Sequence, residues 1–179
     1  KNRKGFHLGF ASHISTEKGF DLFARLIRNS TSISSKIGID LFFHFINYGV
    51  ESKYYLNLFK KNPKVVIHDI FPKERMNEFY LEIDLLIFSS KLAESLGLVA
   101  LEAMSCNIPV VGADTHALKE YILEGETGER FGAGDYNEMV RAIEKVVQNY
   151  PIYKPREFII KHYSMYTVAD RYREYFNAI

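Results

Sequence analysis

The stretch "DLLIFSSKLAESLGLVALEAMSCNIPVV", residues 84–111, decides the fold of this chain. Its first part, "DLLIFSS" (84–90), reads as an apolar strand running out into small polar residues. A loop carrying Glu94 follows, a helix starts near Gly97, and Ile108–Val111 forms the next buried strand. Apolar spacing alone makes Leu98, Leu101 and Ala103 core positions of that helix. Yet Glu94 and Glu102 stand in this apolar run with seven residues between them, and carboxylates are rarely buried without a partner.

Outward from this unit the same alternation continues. "GFHLGFAS" (5–12), "GIDLFFHFINYG" (38–49) and "KVVIHDI" (64–70) read as strands. Between them lie helical stretches, "STEKGFDLFARLIRNS" (15–30), with Phe20, Phe23, Ala24 and Ile27 as its stripe, and "VESKYYLNLFKKN" (50–62). "PKERMNEFYLEI" (72–83) is a further helix, with Pro72 at the favoured first position. Towards the end come a short helix over 117–123, a glycine-rich turn "EGETGERFGAGD" (124–135), a helix over 136–149 and two closing helices at about 155–179. Alternating strands and helices pair in parallel through right-handed crossovers. Strands as apolar as "LFFHFI" and "VVIH" suit a sheet covered on both faces. The fold class is α/β, a doubly wound, Rossmann-like, mainly parallel sheet with helices on both faces, in one domain over 1–179. Ligands of such sheets sit beyond the carboxyl ends of the strands.

Bulk properties narrow the function. At 179 residues and 47% apolar content the chain suits one globular domain. A net charge of +1, with scattered basic residues, gives no nucleic-acid footprint. The single cysteine, Cys106, excludes a disulfide framework and the common zinc patterns, and fits a reducing compartment. The six histidines lack paired ligand spacing, and neither an Asp-x-Asp pair, a Walker loop nor a nucleophile elbow occurs. No apolar run approaches the roughly 20 residues of a membrane span. A soluble, cytoplasmic chain is expected, without metal or other cofactor.

The helix start near Gly97 offers unpaired N–H groups and a partial positive charge, a ready anion site. Glu94 just before it and Glu102 within it can face the crevice on either side of a bound phosphate. Alternatively Glu94 caps the helix and Glu102 has a buried partner. Spacing alone leaves both readings open.

"SSKLAESLGLVALEAMSCNIPVV" resembles the hallmark of the retaining glycosyltransferases with the GT-B fold, group 1 or family 4, whose pattern ends "LEAMACGxPVV". Ser89 stands where proline is usual, and Asn107 where glycine is. "EYILEGETGERF" is similar to that family's "E-V-V-x-D-G-x-T-G-x-L", and "DYNEMVRAIEKVV" to its next helix. The resemblance implies the nucleotide-sugar-binding, C-terminal half of such an enzyme. The acceptor-binding half is then missing, catalysis by this chain alone is not expected, and membrane contact is peripheral and confined to the missing half. It implies a nucleotide-diphospho-sugar donor, transfer of a hexose, no metal, and a role in bacterial surface polysaccharide synthesis. Glu102 would meet the donor ribose and Glu94 the transferred sugar, while the amides of Gly97, Leu98 and Val99 take the diphosphate. Aligned on the family's "G-R-L-x-x-x-K-G", "SHISTEKG" keeps Lys18 and puts His13 in place of arginine. Glu94 and Lys18 are thus the expected catalytic groups.

Three departures accompany these assignments. His13 donates to the diphosphate or is structural, and a neutral imidazole cannot replace a permanent bidentate fork. His116 and Ala117 replace the glycine pair of the family's "G-G-x-x-E". Asp69 replaces a glycine beside Phe71, which either stacks on the nucleobase or fills the core. Two further functions fit the same motifs, a nucleotide-sugar epimerase of similar fold and a non-catalytic nucleotide-sugar-binding module.

Overall fold

The computed structural model describes residues 3–178, the side chain of His116 excepted. Among these residues six strands form one parallel sheet: β1 (Phe6–Phe10), β2 (Leu41–Ile46), β3 (Val65–His68), β4 (Leu85–Phe88), β5 (Val110–Ala113) and β6 (Gly128–Phe131). Their order across the sheet is β3-β2-β1-β4-β5-β6. Every pairing is parallel, with Leu8 opposite both Phe43 of β2 and Leu85 of β4. This is the doubly wound order, whose direction reverses between β1 and β4.

Among the described residues eight α-helices accompany the sheet: α1 (Phe20–Arg28), α2 (Ser30–Ile37), α3 (Ser52–Phe59), α4 (Met76–Leu81), α5 (Leu98–Ser105), α6 (Tyr136–Gln148), α7 (Pro155–Tyr163) and α8 (Met165–Asn177). The core has two parts, as a sheet covered on both faces requires. One gathers Phe10, Phe20, Phe23, Phe43 and Phe45 with Met139 and Ile143 of α6. The other joins Phe79 and Tyr80 of α4 to Ala100, Ala103 and Met104 of α5 and to Ile159 of α7.

Several local expectations need correction. The helix expected over 15–30 begins only at Phe20. Thr16 is tied to Glu51, and Gly19 adopts φ 75°, so residues 15–19 form a loop. "STSISSKI" forms α2, which its serine-rich sequence conceals, because Ile33 supplies buried apolar contact next to α6. Pro72 precedes a 3-10 turn, Lys73–Arg75, and α4 follows that turn. The expected helix over 117–123 is a 3-10 turn, His116–Glu120. The supposed turn over 124–135 contains the strand β6, which pairs with β5 at one edge of the sheet. Its polar residues escaped the apolar pattern because Glu129 is neutralised by tertiary partners. β3 is the opposite edge strand, and Val66 is correspondingly exposed. Leu98, expected in the core, is 61% exposed at the mouth of a cleft, and Leu101 is only partly buried.

Candidate functional site

Where the winding reverses between β1 and β4, the loops leaving their carboxyl ends diverge and open a crevice. A cleft of about 510 Å³ lies there. Ser12, His13 and Lys18 line it from the loop after β1, Tyr48 from beyond β2, and Glu94 through Val99 from the loop after β4 and the start of α5. Segments far apart in sequence meet at one place because parallel strands all end at the same edge.

The two main loops are fastened to each other. A Cβ on Gly19 would lie 1.9 Å from the Ser89 carbonyl oxygen, and its φ of 75° is left-handed, so only glycine fits. The Ser89 hydroxyl donates to the Gly19 carbonyl at 2.9 Å. Proline at position 89 would lack that donor, which gives this departure from the family pattern a local use. Beside this junction Lys18 Nζ approaches Glu94 Oε1 at 2.6 Å, with the two side chains 30% and 16% exposed. The bond uses one of three N–H groups on the lysine, and a carboxylate accepts at several lone pairs. Both groups therefore keep bonding capacity towards the cleft.

The loop after β4 is shaped by Tyr121. Its hydroxyl donates to the Leu96 carbonyl at 2.6 Å. Since C=O and N–H of one peptide point opposite ways, the Gly97 N–H is turned away from Tyr121. Gly97 has φ 68°, and a Cβ there would lie 2.5 Å from the same phenol oxygen. The chain then enters α5, whose first amides, those of Leu98 and Val99 among them, have no partner within the helix. Burial pushes the Tyr121 phenol well above its ordinary pKa, so it remains a hydrogen-bond donor.

The remaining expected residues divide. His13 faces the cleft with its ring edge-on to Tyr48, centroids 4.9 Å apart. Phe71 lines a smaller hollow of about 130 Å³ that shares Ala11, Ser12 and Tyr48 with the cleft. Its ring also packs near His68 and Phe79, so it belongs to both the hollow and the packing beneath it. Glu102 does not line the main cleft. It lies one turn along α5 from Val99, and Oε2 accepts from the Tyr80 hydroxyl at 2.8 Å. Of the two carboxylates that raised the question, one therefore faces the cleft and the other has a buried partner.

Sequence reasoning missed Tyr48, Tyr80 and Tyr121. Each reads as an ordinary apolar residue of its segment, and only the fold shows where its hydroxyl points. Among the described residues no group of three or more His, Cys, Asp or Glu side chains is placed to hold a metal ion. No helix among them is long and apolar enough to cross a membrane.

Comparison with known proteins adds an independent line. The family model described as "Glycosyl transferases group 1" matches residues 1–164. The lipopolysaccharide 1,2-N-acetylglucosaminetransferase of Salmonella typhimurium is 28% identical over 106 residues, 56% of this chain and 28% of that protein. The D-inositol 3-phosphate glycosyltransferase of Rhodococcus erythropolis is 44% identical over 55 residues, 31% of this chain and 12% of that one. Among solved structures, Anabaena HepE in complex with UDP and glucose superposes with a TM-score of 0.76 at 17% identity, over 98% of this chain and 49% of that one. The lipopolysaccharide outer core galactosyltransferase WaaB, in its apo form, gives a TM-score of 0.76 at 18% identity, over 100% of this chain and 51% of that chain. The chain thus spans about half the length of these structures, and under a third of these two curated relatives. The shared fold is that of one half of a GT-B protein.

Proposed function

The chain belongs to the group 1 glycosyl transferases, and from that premise we propose that it is the donor-binding domain of a retaining glycosyltransferase that uses a nucleotide-diphospho-sugar. The observation that carries this reading is the meeting of Lys18, Glu94 and the first turn of α5 in one cleft at the reversal point of the sheet. A sugar diphosphate needs cationic and N–H donors for its phosphates and acceptors for its hydroxyls. Both kinds stand in this cleft. A base, ribose and sugar also need an elongated site, and the adjoining hollow at Phe71 extends the cleft on the Tyr48 side.

In this reading Lys18 and the amides of Gly97, Leu98 and Val99 hold the diphosphate. Glu94 accepts from hydroxyls of the hexose, and Glu102 from those of the ribose. The bond that breaks joins the anomeric carbon to the β-phosphate oxygen, and its electron pair leaves with the diphosphate. The bond that forms joins the anomeric carbon to the acceptor's hydroxyl oxygen, whose proton passes to the departing diphosphate. Fixed donors aimed at that developing charge lower the barrier without reorganising, the role assigned to Lys18 and the α5 terminus. No metal enters this scheme. In this reading the acceptor is held by a further domain, in keeping with the partial coverage of the relatives. We place that domain N-terminal to this one, and residues 1–179 alone do not turn over. The pathway we assign is assembly of a bacterial surface polysaccharide, in keeping with the two lipopolysaccharide transferases among the relatives, and the compartment we assign is the cytoplasm.

Titration calorimetry with uridine, guanosine and adenosine diphosphates tests the reading. One of them should bind more tightly than inorganic phosphate, and Lys18→Ala should weaken it roughly tenfold, the scale of one charge-assisted hydrogen bond. Heats equal to those with phosphate would refute it. Release of free nucleotide together with an epimeric sugar by the intact protein in the absence of any acceptor would instead identify an epimerase.

A further inference from the structure

Beneath Glu102 lies a side chain to which the reading above gives no role. Tyr80, on α4, is 1% exposed and packs among Phe79, Ile83, Ala100 and Met104. Its hydroxyl donates to Glu102 Oε2 at 2.8 Å, and the Val99 carbonyl lies 3.3 Å from the same oxygen. A phenol has one proton, and the shorter, charge-assisted bond to the carboxylate is the stronger claim on it. The ring has two torsions, both fixed by packing, so the hydroxyl is a rigid anchor. Glutamate on a helix surface has three torsions and would otherwise sample several orientations.

The anchor also selects which acceptor sites remain. With the phenol on Oε2, Oε1 keeps both lone pairs and Oε2 keeps one, an arrangement suited to two neighbouring hydroxyls. Val99, one turn earlier on α5, lines the cleft, so a small rotation of Glu102 decides whether those lone pairs reach a ligand there. Burial and the neighbouring carboxylate both raise the Tyr80 pKa, which keeps its proton in place.

We propose that Tyr80 is a positioning residue that fixes the plane of the Glu102 carboxylate for a vicinal diol, making the site prefer ribonucleoside over 2′-deoxyribonucleoside diphosphates. The inference rests on the reading that Glu102 meets the donor ribose.

The test is calorimetry on the intact protein with the best-bound nucleoside diphosphate, its 2′-deoxy counterpart and pyrophosphate. Tyr80→Phe should weaken the ribonucleotide roughly tenfold, shrink the ribo-to-deoxy ratio towards unity and leave pyrophosphate binding unchanged. Loss of general packing would weaken all three ligands together and would overturn the proposal. Glu102→Ala separates the two levels. If it leaves every affinity unchanged while Lys18→Ala does not, the ribose role of Glu102 fails. If it abolishes ribose preference while Tyr80→Phe retains it, the positioning role fails. Should Tyr80→Phe not fold, the parent labelled with [13Cζ]tyrosine gives a second readout. The resonance altered by Glu102→Gln should shift with the ribonucleotide and stay still with pyrophosphate, and a resonance indifferent to both refutes the proposal.

Discussion

Carboxylates and histidines occur in two kinds of place in this chain, and the contrast between them separates scaffold from site. On β6, Glu129 is 3% exposed and saturated with donors. Lys145 reaches Oε2 at 2.7 Å, while Tyr153 and the Gly125 amide reach Oε1 at 2.7 and 2.9 Å. Across β1, β2 and β3 runs a ladder of imidazoles, His7 Nδ1 to His44 Nε2 at 2.8 Å and His44 Nδ1 to His68 Nε2 at 3.0 Å. The Lys4 carbonyl, which can only accept, holds the His7 Nε2 proton, so each neutral ring donates in turn along the ladder. Glu129 and the linked ring nitrogens of the ladder find their partners within the domain. At the carboxyl edge, Glu94, Lys18 and His13 line a cleft and keep capacity for a ligand. A chemically rich residue marks a site where its hydrogen bonds are unfinished. Where they are complete, it marks structure.

The sharpest way to break this contrast is to remove a carboxylate from each side. Glu129→Ala strips an acceptor from three donors and should destabilise the fold by about 2–4 kcal/mol, read as a lower urea midpoint. Nucleotide affinity of the folded fraction should not change. Glu102→Ala should do the reverse, losing about 1.5–3 kcal/mol of nucleotide binding, while the Val99 carbonyl, 3.3 Å from the Tyr80 oxygen, takes over the phenol proton and keeps the fall in midpoint well below that of Glu129→Ala. If both variants lost stability equally, the distinction between the two regions would collapse.

The histidines sharpen the comparison at smaller effect. His13→Arg adds a permanent fork at the cleft and should tighten nucleoside diphosphate binding by about 1 kcal/mol at neutral pH. Equal affinity in parent and variant would mean that His13 serves only its contact with Tyr48. The ladder should instead respond to acid. Burial, ahead of the neighbouring charges, lowers the pKa of both His7 and His68 from the ordinary 6.5. The unfolded chain therefore takes up protons first. Stability from these groups is complete above about pH 6.5 and declines as pH falls below it towards the depressed folded values. Urea midpoints at about pH 7.5 and 5 should show this loss, and His68→Gln should flatten it. A slope unchanged in His68→Gln would remove the ladder as its source.

Much of this was legible in the sequence. The run 84–111 determined a βαβ unit, and its motif identified the family, because buried parallel strands and glycine-requiring loops leave strong local patterns. Lys18, Glu94 and the Gly97 helix start were named from the chain alone and meet in one cleft. Tertiary structure decided the rest. β6 was invisible because a strand carrying Glu129 reads as polar until Lys145 and Tyr153 arrive from distant segments. α2 was invisible because its serines favour no regular structure without a neighbour to pack on. The bonding of Glu102 and the shape of the Gly97 loop rest on Tyr80 and Tyr121, from other segments of the chain. A sequence shows that a phenol exists, but the acceptor its single proton meets is set only when separate elements pack together.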